Sequence, residues 1–254
     1  MRNLRLIARL DIKGPHLIKG VHLEGLRKIA GAPEDWARRY AEAGMDEILY
    51  MDIVASLYDR FSLSDLVRKT VDNVFIPVTV GGGLRTLEHV RQALQSGADK
   101  VAVNTAAIRR PEFIEEIASE FGQQVRMVSV EAKRQPNGGY LCFTDNGREH
   151  TGREVLDWVQ EAVERGAGEV LVTSIDQEGT QRGFDLELAE KVTQGVDRPV
   201  IISGGFGQLD HLDAVIERAD VDAVAFAHVL HYERVAPAAI RERAASLGRM
   251  VREV

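Results

Sequence analysis

The chain has 254 residues, of which 44% are hydrophobic and 28% are charged, and its formal net charge is -7. This is the length and composition of one α/β barrel domain with a sizeable core, and the acidic balance argues against a nucleic-acid-binding surface. A single cysteine, Cys142, excludes an intramolecular disulfide and a cysteine-rich zinc site. The sequence has neither an apolar run of membrane-spanning length nor a signal-peptide pattern, so we expect a cytoplasmic protein that does not bind membranes.

Apolar strand patterns alternate with amphipathic helical patterns along the whole chain. The predicted strands are residues 4–10, 47–51, 76–80, 100–103, 125–130, 169–173, 200–202 and 223–226. Helical patterns lie between them, at 36–43, 63–71, 87–95, 111–121, 155–165, 186–192 and 209–216, and a last one covers 236–247. Eight strand–helix units in this length predict a (β/α)₈ TIM barrel.

Two segments depart from the simple alternation. Residues 12–33 are rich in glycine and in basic residues, and they are too long for a strand-to-helix turn, which favours a functional loop. Residues 135–139 are typical of a tight turn, and residues 140–144 alternate like one arm of a hairpin. We expect Thr151 to cap the helix that follows.

The two halves of the chain repeat each other. Leu10-Asp11-Ile12-Lys13 matches Val130-Glu131-Ala132-Lys133, and other matched segments are also spaced by about 120 residues. We therefore expect a single domain over residues 1–254, built from duplicated half-barrels at about 1–122 and 123–254.

Two strands end in glycine pairs. Gly82-Gly83 follows one apolar run, and Ser203-Gly204-Gly205 follows another. A strand that passes through glycines into a helix forms a cup of backbone N–H groups that suits a phosphate. Two such cups predict two phosphates, or one phosphate and a relic of the duplication.

The active site of such a barrel lies at the carboxyl ends of its strands. Asp11 and Glu131 end the first and fifth strands and face each other by pseudo-symmetry, which favours a general acid–base pair with one group ionised and the other protonated. Each acidic residue alone is also explained as a helix cap. Other strands end in polar residues, namely Asp52, Asn104, Thr105, Thr173, Ser174, Asp176 and His228. Metal-ligand spacing is absent, so we predict no metal and no cofactor.

These segments together resemble the cyclase subunit family of imidazole glycerol phosphate synthase, HisF, over nearly the whole chain. The resemblance is carried by Arg5 with Leu10-Asp11-Ile12-Lys13, Lys19-Gly20, Asp52-Ile53-Val54-Ala55-Ser56, Val80-Gly81-Gly82-Gly83, Asn104-Thr105-Ala106-Ala107, Ala132-Lys133-Arg134, Thr173-Ser174-Ile175-Asp176, Gly179-Thr180 and Ser203-Gly204-Gly205. The sister isomerase of the pathway lacks the counterparts of Ala132-Lys133-Arg134 and Asn104-Thr105-Ala106-Ala107.

The resemblance implies a glutaminase (HisH-like) partner on the N-terminal face of the barrel and ammonia that travels through the barrel interior. The ammonia then reacts with a bis-phosphorylated ribulosyl formimino aminoimidazole carboxamide precursor, which gives imidazole glycerol phosphate. The implied gate for ammonia is Arg5, Glu47, Lys100 and Glu169. The implied phosphate sites are Gly83 with Asn104-Thr105, and Gly179 with Gly204-Gly205. Asp11 would lead the acid–base chemistry, and Lys19 would close over the substrate on its loop.

Five departures from the family pattern surround this site. Glu131 stands for the second catalytic aspartate, and Glu178 stands where the family usually has Asp before Gly179. Arg9 and Phe206 replace small residues, and His228 replaces a serine. These changes favour an alternative, an ammonia-conducting subunit for amidation of a nucleotide sugar in surface-polysaccharide synthesis. A stand-alone isomerase also fits two phosphates, but it leaves the charged gate unexplained.

Overall fold

The computed structural model describes residues 3–55 and 63–252. Its twelve strands are β1 (Arg5–Lys13), β2 (His16–Val21), β3 (Glu24–Lys28), β4 (Glu47–Asp52), β5 (Val78–Gly81), β6 (Lys100–Val103), β7 (Arg126–Arg134), β8 (Tyr140–Thr144), β9 (Glu149–Glu154), β10 (Glu169–Ser174), β11 (Val200–Ser203) and β12 (Ala223–Phe226). Ser56, part of one segment that carries the family resemblance, lies outside the described residues.

Ten helices accompany these strands in the described part of the chain. They are α1 (Pro33–Glu42), α2 (Ser64–Val71), α3 (Leu87–Gln95), α4 (Thr105–Arg109), α5 (Glu112–Phe121), α6 (Val155–Glu164), α7 (Leu186–Gly195), α8 (Leu209–Ala219), α9 (His228–His231) and α10 (Pro237–Ser246). Within the described ranges, no helix is both long enough and apolar enough to cross a membrane.

Eight of the strands form a closed parallel barrel. They run in the order β1, β4, β5, β6, β7, β10, β11 and β12, and β12 returns to pair with β1 through Arg5 opposite Ala223. Helices lie between the strands and bury one face against them, as Trp36, Ala37 and Tyr40 do in α1. The predicted (β/α)₈ barrel is confirmed.

The barrel interior is filled by alternate residues of its strands. Ile7, Leu49, Ala102 and Leu171 belong to one buried apolar cluster with Met127, Ile201, Ala223 and Ala225. On β1 the same alternation directs Arg5, Arg9 and Asp11 inward, below and above Ile7. The interior is therefore apolar in the middle and polar at both ends.

The predicted loop over residues 12–33 was wrong in its secondary structure. β1 continues to Lys13, and β2 and β3 form an antiparallel hairpin that extends the sheet beyond the barrel. We call β2 and β3 the lid hairpin. A second hairpin, β8 and β9, extends β7 in the same way, so the predicted arm at 140–144 is confirmed.

The prediction that Thr151 caps α6 was also wrong. Thr151 lies inside β9, where its hydroxyl donates to the Cys142 carbonyl. The cap is Glu154, whose carboxylate accepts from the N–H groups of Leu156 and Asp157. The register of the β8–β9 hairpin places Glu154, and not Thr151, at the start of α6. Local sequence preference alone does not predict this register.

Candidate functional site

A pocket with an empty volume of about 570 Å³ opens at the carboxyl ends of the barrel strands. One wall is the first cup, formed by Gly82, Gly83, Asn104 and Thr105. Gly82 has φ +95°, and a Cβ there would collide with the backbone of Asp52, so the sharp turn requires glycine. Arg9, Arg85 and Glu131 line the same pocket, which brings predicted phosphate ligands and a predicted catalytic carboxyl together.

We call the opening at the carboxyl ends of the barrel strands the mouth. Asp11 lies there between two cations. Its Oδ1 accepts from Arg9 Nε at 2.9 Å, and its Oδ2 accepts from Lys19 Nζ at 3.1 Å. Burial alone would raise the pKa of Asp11, but Arg9 and Lys19 outweigh it and hold the pKa far below its usual range. Asp11 is therefore a fixed, ionised carboxylate.

Glu131 has the opposite electrostatic environment. It is buried, and its Oε2 accepts one hydrogen bond, from the Gly147 N–H at 2.7 Å. Burial raises the pKa of Glu131 to about 7, although the Gly147 bond and Arg9 both lower it. The two opposed carboxyl groups thus differ in protonation near neutral pH, as an acid–base pair requires.

Arg9 joins three strands at the bottom of the mouth. Besides the bond to Asp11, its Nη1 donates to Thr173 Oγ1 at 2.9 Å and to Ser203 Oγ at 3.3 Å. Burial lowers the pKa of Arg9, but Asp11, Glu178 and Glu131 together raise it above its ordinary value. The guanidinium is therefore charged and held in one orientation.

The second cup, formed by Gly179, Gly204 and Gly205, is smaller than the first. The pocket beside it has an empty volume of about 280 Å³ and is also lined by Glu178, Phe206 and His228. A Cβ at Gly204 would lie 3.3 Å from Glu178 Oε2, so that carboxylate already rests on the glycine pair. Lys19 Nζ donates to the other oxygen of Glu178.

The lid hairpin is closed over the mouth. The His22 N–H donates to the Glu178 carbonyl at 2.8 Å, and Gly20 approaches Gly179 so closely that a side chain at Gly179 would not fit. Leu23 packs against Phe143 of β8 and against Ile175, which directly follows β10. Lys19 thereby becomes almost completely buried, with 3% of its surface exposed.

The four predicted gate residues form a ring at the other end of the barrel. Arg5 Nη1 donates to Glu47 at 2.6 Å and to Glu169 at 2.9 Å, and Lys100 Nζ donates to the same two carboxylates at 3.3 and 3.1 Å. Burial lowers the pKa of Arg5, but Glu47 and Glu169 raise it overall. We call these four residues the charge ring.

Of the other predicted residues, Asp176 lies away from both cups, Asp52 lines the pocket of the first cup and His228 lines the pocket of the second. The Asp176 carboxylate accepts from the Arg134 N–H at 2.8 Å, beside β7 and β8. Asp52 Oδ1 accepts from the N–H groups of Val54 and Ala55, and so it shapes the backbone next to Gly82. His228 lines the second cup at the start of α9, where burial, Arg234 and Lys19 lower its pKa.

Sequence reasoning did not identify Glu178 and Gly147 as partners of the mouth. Glu178 was noted only as a departure from the family pattern, and the backbone of Gly147 reaches Glu131 through the β8–β9 hairpin. Arg9 had a detectable signal, because residues 5, 7, 9 and 11 alternate on one strand and share its inward face.

Comparison with known proteins gives a consistent result. The family model described as histidine biosynthesis protein matches residues 5–236. A protein of Legionella pneumophila is 57% identical over 213 residues, which cover 84% of this chain and 100% of that protein. Proteins of Thermobifida fusca (strain YX) and Streptococcus sanguinis (strain SK36) are 44% and 41% identical over 98% and 99% of this chain, covering 98% and 100% of their own lengths. All three are named imidazole glycerol phosphate synthase subunit HisF.

Proposed function

The chain belongs to the histidine biosynthesis protein family, and from that premise we propose how its mouth carries out the HisF reaction. The chain is a HisF-type cyclase subunit of imidazole glycerol phosphate synthase, with lyase activity in histidine biosynthesis. The observation that carries the proposed mechanism is the pairing of an ionised Asp11 with a Glu131 whose pKa is about 7, beside a glycine cup.

The substrate is a ribulosyl formimino aminoimidazole carboxamide with a phosphate at each end. The first cup receives one phosphate on the backbone around Gly82 and Gly83, with Asn104 and Thr105 as further hydrogen-bonding groups. The second phosphate belongs in the second cup with Gly179, Gly204 and Gly205, and it requires the Glu178 carboxylate to move because two anions repel each other there.

Asp11 and Glu131 divide the proton transfers between them. Asp11, ionised at neutral pH, accepts a proton from the ammonia nitrogen as that nitrogen bonds to a substrate carbon. Glu131, half-protonated near pH 7, donates a proton to the nitrogen of the aminoimidazole carboxamide, which leaves as its C–N bond to the formimino carbon breaks. The pair ends with one proton moved from the nucleophile side to the leaving-group side. Thr173 and Ser203 support the arrangement, because their hydroxyls hold Arg9, which holds Asp11.

Lys19 links the reaction to closure of the lid hairpin. Its ammonium group bonds Asp11 and Glu178 at once, so hairpin closure delivers a cation to the mouth. Burial lowers the pKa of Lys19, but Glu178 and Asp11 raise it overall, so Lys19 stays charged. When a phosphate displaces Glu178, the same ammonium can turn to the phosphate.

A glutaminase of the HisH type supplies the ammonia at the N-terminal face. The relatives are named as subunits, and the charge ring of Arg5, Glu47, Lys100 and Glu169 lies at that face. Above the ring, the interior is lined by Ile7, Leu49, Ala102 and Leu171 and their neighbours, which suits a small neutral molecule.

The mechanism is tested with ammonium salt in place of a glutaminase. The purified chain is given the bis-phosphorylated ribulosyl formimino substrate, and formation of imidazole glycerol phosphate is measured. We expect Asp11→Asn to reduce kcat by about 100-fold or more, because the ionised base is lost. Glu131→Asp retains the carboxyl group and is expected to keep measurable activity.

The matched control is Asp65→Asn, which removes a surface carboxylate whose ion-pair partner among the described residues is the exposed Arg68. It should leave kcat and KM unchanged. Equal turnover by the native chain and Asp11→Asn would contradict the assigned role of Asp11.

One observation favours the second candidate, an ammonia-conducting subunit for amidation of a nucleotide sugar. The second cup is small and is lined by Glu178, Phe206 and His228, so its ligand can differ from the phosphate of the histidine pathway. Absence of turnover in the native chain, Asp11→Asn and Glu131→Asp alike would favour this candidate.

A further inference from the structure

Arg9 has hydrogen-bonding capacity beyond its role as partner of Asp11. A guanidinium has five N–H donors, and the bonds to Asp11, Thr173 and Ser203 use only Nε and Nη1. Within residues 3–55 and 63–252, no hydrogen bond involves Arg9 Nη2. Arg9 lines the pocket of the first cup, so Nη2 can donate there to an acceptor from a ligand.

The position of Arg9 shows which part of a ligand it would meet. Arg9 lines the 570 Å³ pocket together with Gly82 and Gly83 of the first cup and with Glu131. It is also bonded to Asp11. It thus lies between the place of a phosphate and the place of the acid–base pair, where the carbon chain next to that phosphate has to lie.

The charges favour a neutral oxygen at this point over a second anion. Arg9 and Lys19 are balanced by Asp11 and Glu178, and Glu131 adds a negative charge when it ionises. The cluster therefore has no surplus cation for another phosphate, whereas a carbonyl or hydroxyl oxygen needs only the donor that Nη2 provides.

We infer that Arg9 is a substrate-contacting, specificity-determining residue that donates from Nη2 to a carbonyl or hydroxyl oxygen of the sugar-derived chain adjoining the phosphate in the first cup. This inference rests on the proposed function for the phosphate in that cup. It extends that function by assigning a contact to a residue type that departs from the family pattern. Thr173 and Ser203 act as positioning residues, because they fix the Arg9 plane and leave Nη2 free.

The test measures binding and does not require turnover. Calorimetric titration gives the dissociation constants of inorganic phosphate and of ribulose 5-phosphate for the native chain, Arg9→Met and Arg9→Lys. We expect the native chain to bind ribulose 5-phosphate more tightly than phosphate. We expect Arg9→Met to weaken the binding of ribulose 5-phosphate at least 10-fold and that of phosphate less than 3-fold. Only ribulose 5-phosphate has a sugar chain that loses its hydrogen bond to Arg9.

Arg9→Lys separates a specific contact from charge alone. Lysine keeps the positive charge. It lacks the planar guanidinium, which can bond three partners and still have a donor left for a ligand. We expect Arg9→Lys to weaken the binding of ribulose 5-phosphate at least 5-fold, with little effect on the binding of phosphate. It also keeps the test valid if Arg9→Met fails to fold, which circular dichroism would reveal.

Arg85→Met is the matched control, since Arg85 lines the same pocket beside Gly83. It should change the affinities for both probes by the same factor. The inference is overturned if the native chain binds phosphate as tightly as ribulose 5-phosphate or binds neither. It is also overturned if the Arg9 variants affect both probes equally, or if Arg85→Met discriminates between the probes as strongly as they do. Failure of the cyclisation assay alone would affect the proposed function and leave these affinities as they are.

Discussion

At the residue scale, two carboxyl groups in equivalent places of a repeated strand have opposite protonation. Asp11 meets Arg9 and Lys19, whereas Glu131 meets one backbone N–H and is otherwise buried. The difference in protonation between Asp11 and Glu131 comes from the groups around each carboxyl and not from the one extra methylene of glutamate. The same environment also makes Glu131 unfavourable for folding at high pH.

Glu131→Gln should therefore stabilise the chain as pH rises. Glu131 has its folded pKa raised from 4.5 to about 7, so the native chain loses stability between those two pH values, by about 3 kcal/mol at most. Glutamine keeps an acceptor for Gly147 and does not ionise. We expect the free energy of unfolding in urea to favour Glu131→Gln over the native chain by more at pH 8 than at pH 5.

The control for that comparison is Glu149→Gln, on an exposed position of β9. It should show the same difference from the native chain at both pH values. A stability gain for Glu131→Gln that does not grow with pH would show that Glu131 is already ionised at pH 5.

The residues of the mouth could be predicted from the sequence only where they end barrel strands. Asp11, Glu131 and the glycine pairs fall there, and the structure brings them to one face. Glu178 and Gly147 could not be predicted, because each reaches the mouth through a loop or hairpin whose path depends on tertiary packing. The assigned roles of all these residues stay predictions until they are measured.

At the element scale, the lid hairpin is the part of the mouth that local sequence least determines. Its glycines and basic residues predict a loop, but β1 extends past Asp11 and provides an edge on which β2 pairs. Apolar contacts at its tip then fix its position, with Leu23 against Phe143 and Ile175. Tertiary pairing overrides local propensity here.

Leu23→Ala should loosen the lid hairpin without unfolding the barrel. Removing a buried leucine side chain costs about 2–5 kcal/mol, and here that cost falls mainly on closure of the hairpin. We expect hydrogen exchange of amides in residues 16–28 to accelerate at least 10-fold. The amides of the barrel strands should exchange at the native rate.

Val21→Ala provides the comparison on the same hairpin, since 46% of the Val21 surface is exposed. Its amide exchange should match that of the native chain. Equal acceleration in both variants would mean that the tip contacts of Leu23 do not hold the hairpin.

At the scale of the whole molecule, the barrel has a polar layer at each end and an apolar column between them. The charge ring lies at the N-terminal end, and Arg9 with Asp11 lies at the mouth. The alternation of strand–helix units made the barrel predictable, because few other folds accommodate eight such units. The half-barrel duplication stays a prediction from the repeated segments.

Arg5→Ala should affect glutamine-dependent turnover more than ammonium-dependent turnover. Loss of Arg5 leaves Glu47 and Glu169 with Lys100 alone, so the charge ring opens and loses its fixed arrangement. We expect the ratio of the two rates to change at least 3-fold in the complex with the glutaminase. Arg5→Lys restores one cation and should recover part of the native ratio. An unchanged ratio, with only lower stability, would make the ring purely structural.

Phe75→Ala should weaken assembly with the glutaminase. Phe75 is 91% exposed and precedes β5, so it lies at the N-terminal face, the end of the barrel that also carries the charge ring. A large aromatic side chain in that position is a good contact for a partner, and its loss should raise the dissociation constant at least 10-fold. Ammonium-dependent turnover should not change.

Tyr232→Ala is the matched control for assembly, since Tyr232 is exposed and follows α9 at the opposite end of the barrel. It should leave the dissociation constant of the complex unchanged. A similar loss of affinity in both variants would argue against docking at the N-terminal face.

The closed lid hairpin has a consequence for the timing of catalysis. A ligand in the mouth lies behind the lid hairpin and its Leu23 contacts, so it enters and leaves only when these contacts open. Product residence time is then set by the opening rate of the hairpin, whatever the strength of the phosphate contacts. A lid hairpin that opens faster would thus release product sooner, but it would also lose more of the reaction intermediate before it reacts.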